Sequence, residues 1–224
     1  MNLGRDKIQW DQDLWNRLDE AVQKESERSK VAARFLPLKD DVSENARTVP
    51  GDTINFSGDT KSDSKTMRVD EQDETPLVEL TVSFQLTPQQ AQNEGQLSTA
   101  VTLATRATNL LAQVEDRLIF CGMHDLPDRL NVVCVKGKMN SVGLLNVPPK
   151  TSHILQVEPK GKDIWAENTF HRVVSGISVL QDFGHYGPYA LVLQTTPFAD
   201  THAPLQNTLI MPADRIKPLV TGGF

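Results

Sequence analysis

One long periodic segment, Leu97 to Gly122, dominates this sequence. Its apolar residues recur three or four positions apart, which is the spacing of a helix with one apolar side. Ser98 is suited to cap the first turn, and Gly122 is suited to end the helix in a left-handed conformation. About 24 residues with a rise of about 1.5 Å each make a rod of about 35 Å, as long as a small domain is wide. We therefore expect a spine helix that other elements cover along its length.

The composition argues against several classes of protein. The chain has 224 residues, enough for a sizeable core, with a formal net charge of −6 and a pI near 5.4. An acidic chain offers no broad basic surface, so we expect no nucleic-acid partner. No run of about 18 apolar residues is present, so we expect no membrane span. The charged N-terminus is unlike an export signal. The two cysteines, Cys121 and Cys134, form no disulfide framework. Together these features indicate a cytoplasmic protein with reduced thiols.

A charged helix is predicted near the N-terminus, starting after Asp11 or Asp13 and running to about Phe35. Its first half carries an apolar stripe, formed by Trp10, Leu14, Trp15, Leu18 and Val22. The second half, Gln23 to Arg34, is far more polar, so we expect it to lie more exposed. The stripe either anchors the helix to the rest of the protein or also frames a docking groove.

Residues 36 to 75 form a polar segment that cannot bury a core of its own. It is also longer than an ordinary connection inside a compact domain. Two explanations stay open: a disordered insertion, or an extended arm that becomes ordered only on another chain. Weak alternation in Thr53–Phe56 and in Thr66–Val69, on either side of a turn at Gly58-Asp59, suits a two-stranded ribbon.

From Pro76 onwards, strands and helices alternate. The alternation from Val78 to Leu86 predicts a half-buried strand that Pro88 ends, followed by a polar linker from Gln89 to Gln96. Leu130–Val135 is predicted as a strand or as buried extended chain. The later predictions are strands at Ile154–Val157, Tyr189–Leu193 and Leu209–Met211, a helix from Asp163 to about Asp182, a loop at Thr195–Asn207 and a helical or extended piece at Arg215–Val220. This order predicts an α+β fold with two lobes that share the spine helix.

The sequence holds no constellation for catalysis or metal binding. Nucleotide-binding and metalloprotease motifs are absent, and Ser175 lacks the glycine frame of a nucleophile elbow. Cys121 and His124 have ligand-like spacing, but a metal site needs three or four ligands. Glu115 and Asp116 are adjacent on the spine helix, and we assign them to salt bridges on its surface or between the lobes. We therefore expect no cofactor and no enzymatic activity.

Several stretches, taken in order, resemble the encapsulin shell proteins, also called linocin-like proteins. They are the helix around Trp15 to Ala21, PLVELTVSF before the spine, EDRLIFCG at Glu115 to Gly122, Gly143-Leu144-Leu145, the helix from about Phe170 to Leu180, and GPYALVL at Gly187 to Leu193. Their order and spacing are more specific than any single motif. The resemblance implies the tailed-phage (Hong Kong 97-type) capsid fold.

The resemblance also implies a division of the chain. Residues 1–35 are the N-terminal helix and arm, 36–75 the E-loop that lies across a neighbouring subunit, 76–122 the peripheral domain with the spine helix, and 123–224 the axial domain that meets its copies at the symmetry axes. Family members usually continue past the position of Phe224 through further strands, which we therefore expect to be missing here.

Function and partners follow from the same resemblance. The family assembles into a closed icosahedral compartment in the cytoplasm of bacteria and archaea, and it packages an enzyme, often a dye-decolourising peroxidase or a ferritin-like protein. The implied partners are further copies of the chain and a cargo protein whose C-terminal peptide docks on the inner face near the N-terminal helix. We expect the cargo-docking residues to be Ile8, Trp10, Leu14 and Leu18. We expect the residues that line the five-fold pore to be Asp200, Thr201, His202 and Ala203.

Two alternatives stay open. The first is the major capsid protein of a tailed phage or prophage, which a nearby scaffold or protease gene would indicate in place of a cargo-enzyme gene. The second is a peptidase or bacteriocin-like enzyme, as described for linocin-like proteins, which an activity assay on cargo-free protein would reveal. The absence of a nucleophile or metal frame argues against the enzyme.

Overall fold

The computed structural model describes most of the chain. Its described residues are 5, 8–37, 42–43, 45–57, 66–122, 127–137, 143–146, 155, 165–205 and 208–224. The chain divides into two compact units, the first Met1–Ala32 with Pro37–Asn146 and the second Ala33–Leu36 with Val147–Phe224. No helix within the described ranges is long and apolar enough to cross a membrane.

Helices occur in both units and, among the described residues, the small antiparallel sheets lie in the first unit, which together fit an α+β protein. In the first unit the elements are α1 (Gln12–Ser29), β1 (Thr48–Ser57), β2 (Thr66–Pro76), β3 (Glu79–Thr81), α2 (Pro88–Gln92), α3 (Glu94–Leu97), α4 (Thr99–Cys121) and β4 (Cys134–Lys136). In the second they are α5 (Ala166–Asp182), α6 (Thr195–Thr201) and α7 (Pro212–Ile216). Single turns of 3₁₀-helix lie at Ala32–Arg34, Asp128–Leu130, Leu144–Asn146 and Lys217–Leu219.

The predicted spine helix is confirmed as α4, with 23 residues. Its start differs from the prediction, because Ser98 has a left-handed φ of 49° and its side chain caps nothing. The carboxylate of Glu94, only 2% exposed, accepts hydrogen bonds from the backbone N–H groups of Ala100 at 2.8 Å and Val101 at 3.2 Å. The prediction of Ser98 as the cap is therefore wrong, since the short helix α3 brings a longer acidic side chain onto the first turn of α4.

The core of the first unit lies along one side of α4. Its buried members are Val114, Leu118, Leu130 and Val133. The strands β3 and β4 cover this cluster as an antiparallel pair, in which Leu80 lies opposite Val135. The apolar stripe of α4 is thus covered by a small sheet and by the chain between α4 and β4.

Two segments before α4 differ from the prediction. The strand predicted between Pro76 and Pro88 is a strand only over three residues, because β4 pairs with no more than these. The linker predicted at Gln89–Gln96 is wrong, since the helices α2 and α3 occupy it. Thr87 and Gln90 form a reciprocal capping box, with Gln90 N–H donating to Thr87 Oγ1 at 3.2 Å and Thr87 N–H donating to Gln90 Oε1 at 2.9 Å. A proline at the first helical position then favours a helix start.

The strands β1 and β2 form the predicted two-stranded ribbon. They pair antiparallel, with Ile54 opposite Val69, and the register shifts at a bulge between Gly51 and Thr53. The alternating segments that predicted the ribbon are therefore paired as expected, while the predicted turn at Gly58-Asp59 lies outside the described residues. Among the residues that the structure describes, no third strand joins the ribbon.

The N-terminal helix starts where the sequence predicts, with the side chain of Asp11 as its cap. It ends at Ser29, so the predicted end near Phe35 is wrong. The cause is Lys30, whose extended backbone (φ −72°, ψ 125°) turns the chain out of the helix. The prediction of an exposed second half is also wrong, because Glu25 is only 6% exposed and contacts α4.

Two further strand predictions concern the chain beyond α4. The strand alternative for Leu130–Val135 is wrong up to Val133, because Leu130 ends a 3₁₀ turn and β4 begins only at Cys134. The strand predicted at Ile154–Val157 lies outside the described residues except for Leu155, which is in no strand. A short apolar run forms a strand only where a second backbone completes the hydrogen-bonded ladder.

The second unit is built on α5, whose predicted end at Asp182 is confirmed. The strand predicted at Tyr189–Leu193 is wrong beyond one parallel bridge between Ala190 and Gly223. The strand predicted at Leu209–Met211 is wrong as well, because it has no pairing partner in the described part of the chain.

The last helical piece packs on α5 and closes the core of the second unit. The helical alternative predicted for Arg215–Val220 is confirmed by α7 and the 3₁₀ turn that follows it. Ala213 and Ile216 of α7 are fully buried. The guanidinium of Arg215 lies 3.7 Å from the ring centroid of Phe170 on α5 and donates to Glu167 at 2.6 Å.

Candidate docking face and pore segment

The four predicted docking residues are half-buried in the first unit. They are Ile8, Trp10, Leu14 and Leu18. Leu14 and Leu18 lie one turn apart on α1, and Glu25 continues the same face two turns further on, since seven residues nearly complete two helical turns. Because Glu25 contacts α4, the two leucines lie on the side of α1 that faces α4.

Aromatic contacts fix the N-terminal arm. The indole N–H of Trp10 donates to the backbone carbonyl of Ala91 in α2 at 2.7 Å, and the rings of Trp10 and Trp15 have centroids 4.8 Å apart. The guanidinium of Arg5 lies 4.8 Å from the ring centroid of Trp15 and forms an ion pair with Asp19. These contacts hold the arm against α1 and α2, which supports the anchoring role that the sequence left open for Trp10.

The helices α1 and α4 run parallel to each other. Near their starts, Arg17 Nη2 donates to Ser98 Oγ at 3.3 Å. Near their ends, Lys30 Nζ forms a salt bridge of 2.9 Å with Glu115. Since residue numbers rise together along the contact, the two chains point in the same direction. The salt-bridge assignment of Glu115 is therefore confirmed.

A group of polar side chains, here called the polar seam and formed by Glu25, Arg28, Ser29 and Asn109, joins the second half of α1 to α4. The carboxylate of Glu25 accepts from Arg28 Nη2 at 2.9 Å, from Ser29 Oγ at 2.7 Å and from Asn109 Nδ2 at 2.8 Å. Gln113 Nε2 donates to Asn109 Oδ1 at 2.6 Å, which orients the amide of Asn109. The hydrogen bond from Arg28, followed by those from Ser29 and Asn109, lowers the pKa of Glu25 from 4.5 to about 2.

A second carboxylate fixes the chain where it leaves α1. Asp116 on α4 accepts hydrogen bonds from the backbone N–H groups of Val31 at 2.9 Å and Ala32 at 2.8 Å. Neither this contact nor the polar seam was predicted from the sequence. The available signal was that Glu25 and Ser29 extend the apolar stripe at helical spacing, where apolar residues were expected.

The first two predicted pore residues end a helix. The loop predicted at Thr195–Asn207 is wrong over its first part, where α6 lies. Thr201 is fully buried and donates its hydroxyl to the carbonyl of Phe198 at 2.7 Å. The carboxylate of Asp200 accepts from the backbone N–H of Trp165 at 3.0 Å. Both side chains are therefore engaged inside the second unit.

The other two predicted pore residues follow α6. His202 is half-buried, and its Nδ1 lies at hydrogen-bonding distance, 3.0 Å, from the carbonyl oxygen of Phe198. Its ring stacks on Phe224, with a centroid distance of 5.8 Å and an interplanar angle of 7°. Ala203 is exposed. The structure thus keeps the four residues adjacent but gives them different surroundings.

Potential metal ligands are dispersed. Within the described ranges, no three His, Cys, Asp or Glu side chains are grouped so that they would hold a metal ion. Cys121 is half-buried at the end of α4. His124, the other residue of the ligand-like pair, lies outside the described residues.

The comparisons with known proteins agree with the resemblance found in the sequence. A family model described as encapsulating protein for peroxidase matches residues 1–224. The chain is also similar to the type 1 encapsulin shell protein EncA of Myxococcus xanthus (strain DK1622), with 25% identity over 217 residues, which are 93% of this chain and 69% of that protein. Since the family model covers the whole sequence, the chain belongs to the linocin-like family of encapsulating proteins.

Proposed function

We propose that this chain is the shell protomer of an encapsulin nanocompartment, in which copies of the chain self-assemble into a closed icosahedral shell around a cargo enzyme in the cytoplasm. The observation that carries the proposal is the family match over residues 1–224. The similarity to a protein named as an encapsulin shell protein supports it. Membership of a family of encapsulating proteins also makes the chain a structural protein, and the prediction that it is not an enzyme is confirmed.

The proposal includes the tailed-phage (Hong Kong 97-type) capsid fold and its division of the chain. Residues 1–35 are assigned to the N-terminal helix and arm, 36–75 to the E-loop, 76–122 to the peripheral domain and 123–224 to the axial domain. The ribbon β1–β2 followed by the long helix α4 supports this assignment, because both occur in the order that the family pattern requires.

The ribbon is the element that most needs a neighbouring copy. A two-stranded ribbon is marginal in water, and its open edges present unpaired backbone groups. On it, Met67 is 63% exposed and Val69 is 53% exposed, although both are apolar. A second copy of the chain would cover these side chains, and many such contacts around rotation axes would add up to a stable closed shell.

An apolar groove of about 410 Å³ along α5 gives further support. Its walls include Val173, Ile177 and Leu191, and the hydroxyl of Thr169 on its floor has no hydrogen-bond partner among the described residues. Contiguous apolar surface of this kind marks sites of interaction in folded proteins. The second unit therefore also offers a surface that assembly would cover.

Light scattering and negative-stain microscopy of the purified protein test the proposal. Hollow particles of megadalton mass are the expected result, and a monomer or small oligomer would contradict it. Met67→Asp should block assembly because it places a charge on the proposed contact. Gln23→Asp, which adds the same charge to an exposed position of α1, is the matched control and should assemble normally.

The capsid protein of a tailed phage or prophage remains the alternative on the same fold. The contents of purified particles separate the two functions. Protein cargo supports the compartment, whereas particles filled with nucleic acid would favour the capsid.

Cargo docking is proposed for the face of α1 and its arm, at Ile8, Trp10, Leu14 and Leu18. These side chains are apolar and only half-buried, which leaves area for an extended peptide from the C-terminus of a dye-decolourising peroxidase or a ferritin-like protein. Leu14→Asp separates docking from anchoring. Loss of cargo from intact shells would support docking, and loss of the shells would indicate anchoring alone. Asn16→Asp, two residues away and exposed, is the control.

Pore lining is proposed for the segment from Asp200 to Ala203, with Asp200, His202 and Ala203 as the lining side chains, since Thr201 is fully buried. Copies of this segment around an axis would present a carboxylate and an imidazole to passing solutes. Ala203→Asp adds a charge at an exposed position without removing a contact, so it should change the rate at which the cargo turns over a charged substrate. Unchanged turnover in this variant and in His202→Ala would rule out the pore assignment.

A further inference from the structure

The apolar stripe of α1 does not by itself define how α1 lies on α4. Leu14, Leu18 and Val22 are each four residues apart. A slip of α1 by one turn would therefore place Leu14 where Leu18 lies and Leu18 where Val22 lies. At these three positions the slip would still place an aliphatic side chain at the sites of Leu18 and Val22, so the aliphatic stripe itself discriminates only weakly between the two registers.

The opposing face of α4 offers few shape constraints. Asn109, Ala112 and Asp116 recur at helical spacing and so lie on one side of α4, and Thr105 extends this side toward the start of the helix. Ala112 is fully buried, and the hydroxyl of Thr105 bonds back to the carbonyl of Val101, so neither projects far from the helix. Small side chains at these two positions let α1 approach closely and place little steric constraint on its register there.

The polar contacts, in contrast, fit only one register. A slip of four residues moves α1 by about 6 Å along its axis. The 2.8 Å hydrogen bond between Asn109 and Glu25 would then be broken, and Asp116 would lose the backbone N–H groups that it caps. A buried carboxylate that loses a partner is strongly disfavoured. The polar seam therefore distinguishes two registers that the apolar stripe leaves nearly equal.

We propose that Glu25 and Asn109 are positioning residues that lock α1 in a single parallel register on α4. Buried polar groups that fix register at some cost in stability are known from helix pairs. The consequence for cargo rests on the proposed function, because the docking residues Leu14 and Leu18 lie on α1. The lock determines where along α4 this docking face is presented.

The test replaces both seam residues by apolar ones, as Glu25→Leu with Asn109→Leu. Such a replacement keeps the helices packed while removing the polar selection of register. Spin labels at the exposed positions Glu20 and Arg106 report the distance between the helices, after the native cysteines are changed to serine. Labelled chains are diluted into unlabelled protein, so that only distances within one chain are measured.

One narrow distance distribution is expected for the unchanged seam. The double-leucine variant should show a second population or a broadened one, shifted by up to about 6 Å. Gln23→Ala with Glu27→Ala, which removes an exposed hydrogen bond of 3.0 Å from the same helix, should keep the single distance. Glu25→Gln should keep it as well, since an amide still bonds with Ser29 and Asn109.

An unchanged single distance in the double-leucine variant would overturn the lock. If circular dichroism shows that this variant has lost its helices, the distance is measured in Asn109→Ala instead. A second distance population in Asn109→Ala would then support the lock, and a single unchanged distance would overturn it. Cargo content is measured separately on assembled particles. If the double-leucine variant shows a second register but normal cargo content, the lock is supported and docking of cargo on α1 is contradicted. If the variant keeps a single register, the lock is contradicted, whatever the cargo content.

Discussion

Glu94 holds the start of the spine helix, and we expect its removal to open the first turn of α4. Its carboxylate, 2% exposed, accepts from the N–H groups of Ala100 and Val101. The first N–H groups of a helix have no partner inside the helix, so the side chain satisfies donors that would otherwise be buried and unpaired. Loss of a cap costs about 0.5–2 kcal/mol. Loss of a negative charge at a helix start adds about 0.3–1 kcal/mol.

Glu94→Ala should therefore lower the free energy of opening this turn by about 2 kcal/mol. Hydrogen exchange of the Ala100 and Val101 amides measures this opening, and about 2 kcal/mol corresponds to roughly 30-fold faster exchange. Glu94→Gln keeps one acceptor and should lose about half as much. Gln96→Ala, exposed in the same short helix α3, is the control. Exchange in Glu94→Ala within about twofold of the unchanged protein would refute the reasoning.

Three further predictions concern the core, a close backbone approach and acid. Leu118→Ala, at a site 4% exposed, should lower the free energy of unfolding by about 2–5 kcal/mol, measured by denaturant unfolding. Gly143→Ala should abolish folded protein on gel filtration, because its added Cβ would lie 2.3 Å from the carbonyl carbon of Cys121, whereas Gly95→Ala meets nothing within 4 Å and should fold. The pKa of Glu25 is lower in the folded state, about 2 against 4.5, so its stabilisation is present above pH 4.5 and is lost as the pH falls toward 2. Thermal unfolding measured across this pH range should show the loss of stability as a falling melting temperature. In Glu25→Gln the melting temperature should depend less on pH.

Long periodic segments were the part of the fold that the sequence predicted well. The helix α4, the start of α1 and the end of α5 follow patterns that extend over more than a dozen residues. Over such lengths, many weak preferences for one period add up and outweigh local exceptions. The ribbon β1–β2 was predicted for a related reason, because two alternating runs flanked a turn-forming dipeptide.

Short elements were predicted poorly because their partners decide them. The run from Val78 to Leu86 alternates as a strand should, but β4 pairs with only three of its residues. The helix α6 was missed because its seven residues carry too few apolar positions for a period to show. Its contacts supply the missing information, since Thr201 is buried only once Phe198 and the rest of the second unit are in place.

The candidate site was predicted in its apolar half and missed in its polar half. The stripe at Leu14 and Leu18 is visible in the sequence because apolar residues at helical spacing are the ordinary sign of a packed face. The hydrogen bond between Glu25 and Asn109 is not visible there, because the two residues are 84 positions apart and each, taken alone, is typical of a polar residue on a helix surface. A charged residue on an otherwise apolar stripe was the one local clue.

The distribution of satisfied and unsatisfied groups argues for a protomer rather than a self-sufficient enzyme. Where α1 meets α4, the buried carboxylate of Glu25 has its partners within the chain, so this contact is complete before any neighbour arrives. The ribbon and the groove along α5 differ, because Met67 stays exposed and Thr169 keeps an unpartnered hydroxyl among the described residues. Exposed apolar area is costly when a chain is alone, and a second copy that covers it would remove this cost. A shell requires this combination, since its subunits must hold their own helices in register while they leave other surfaces for their copies.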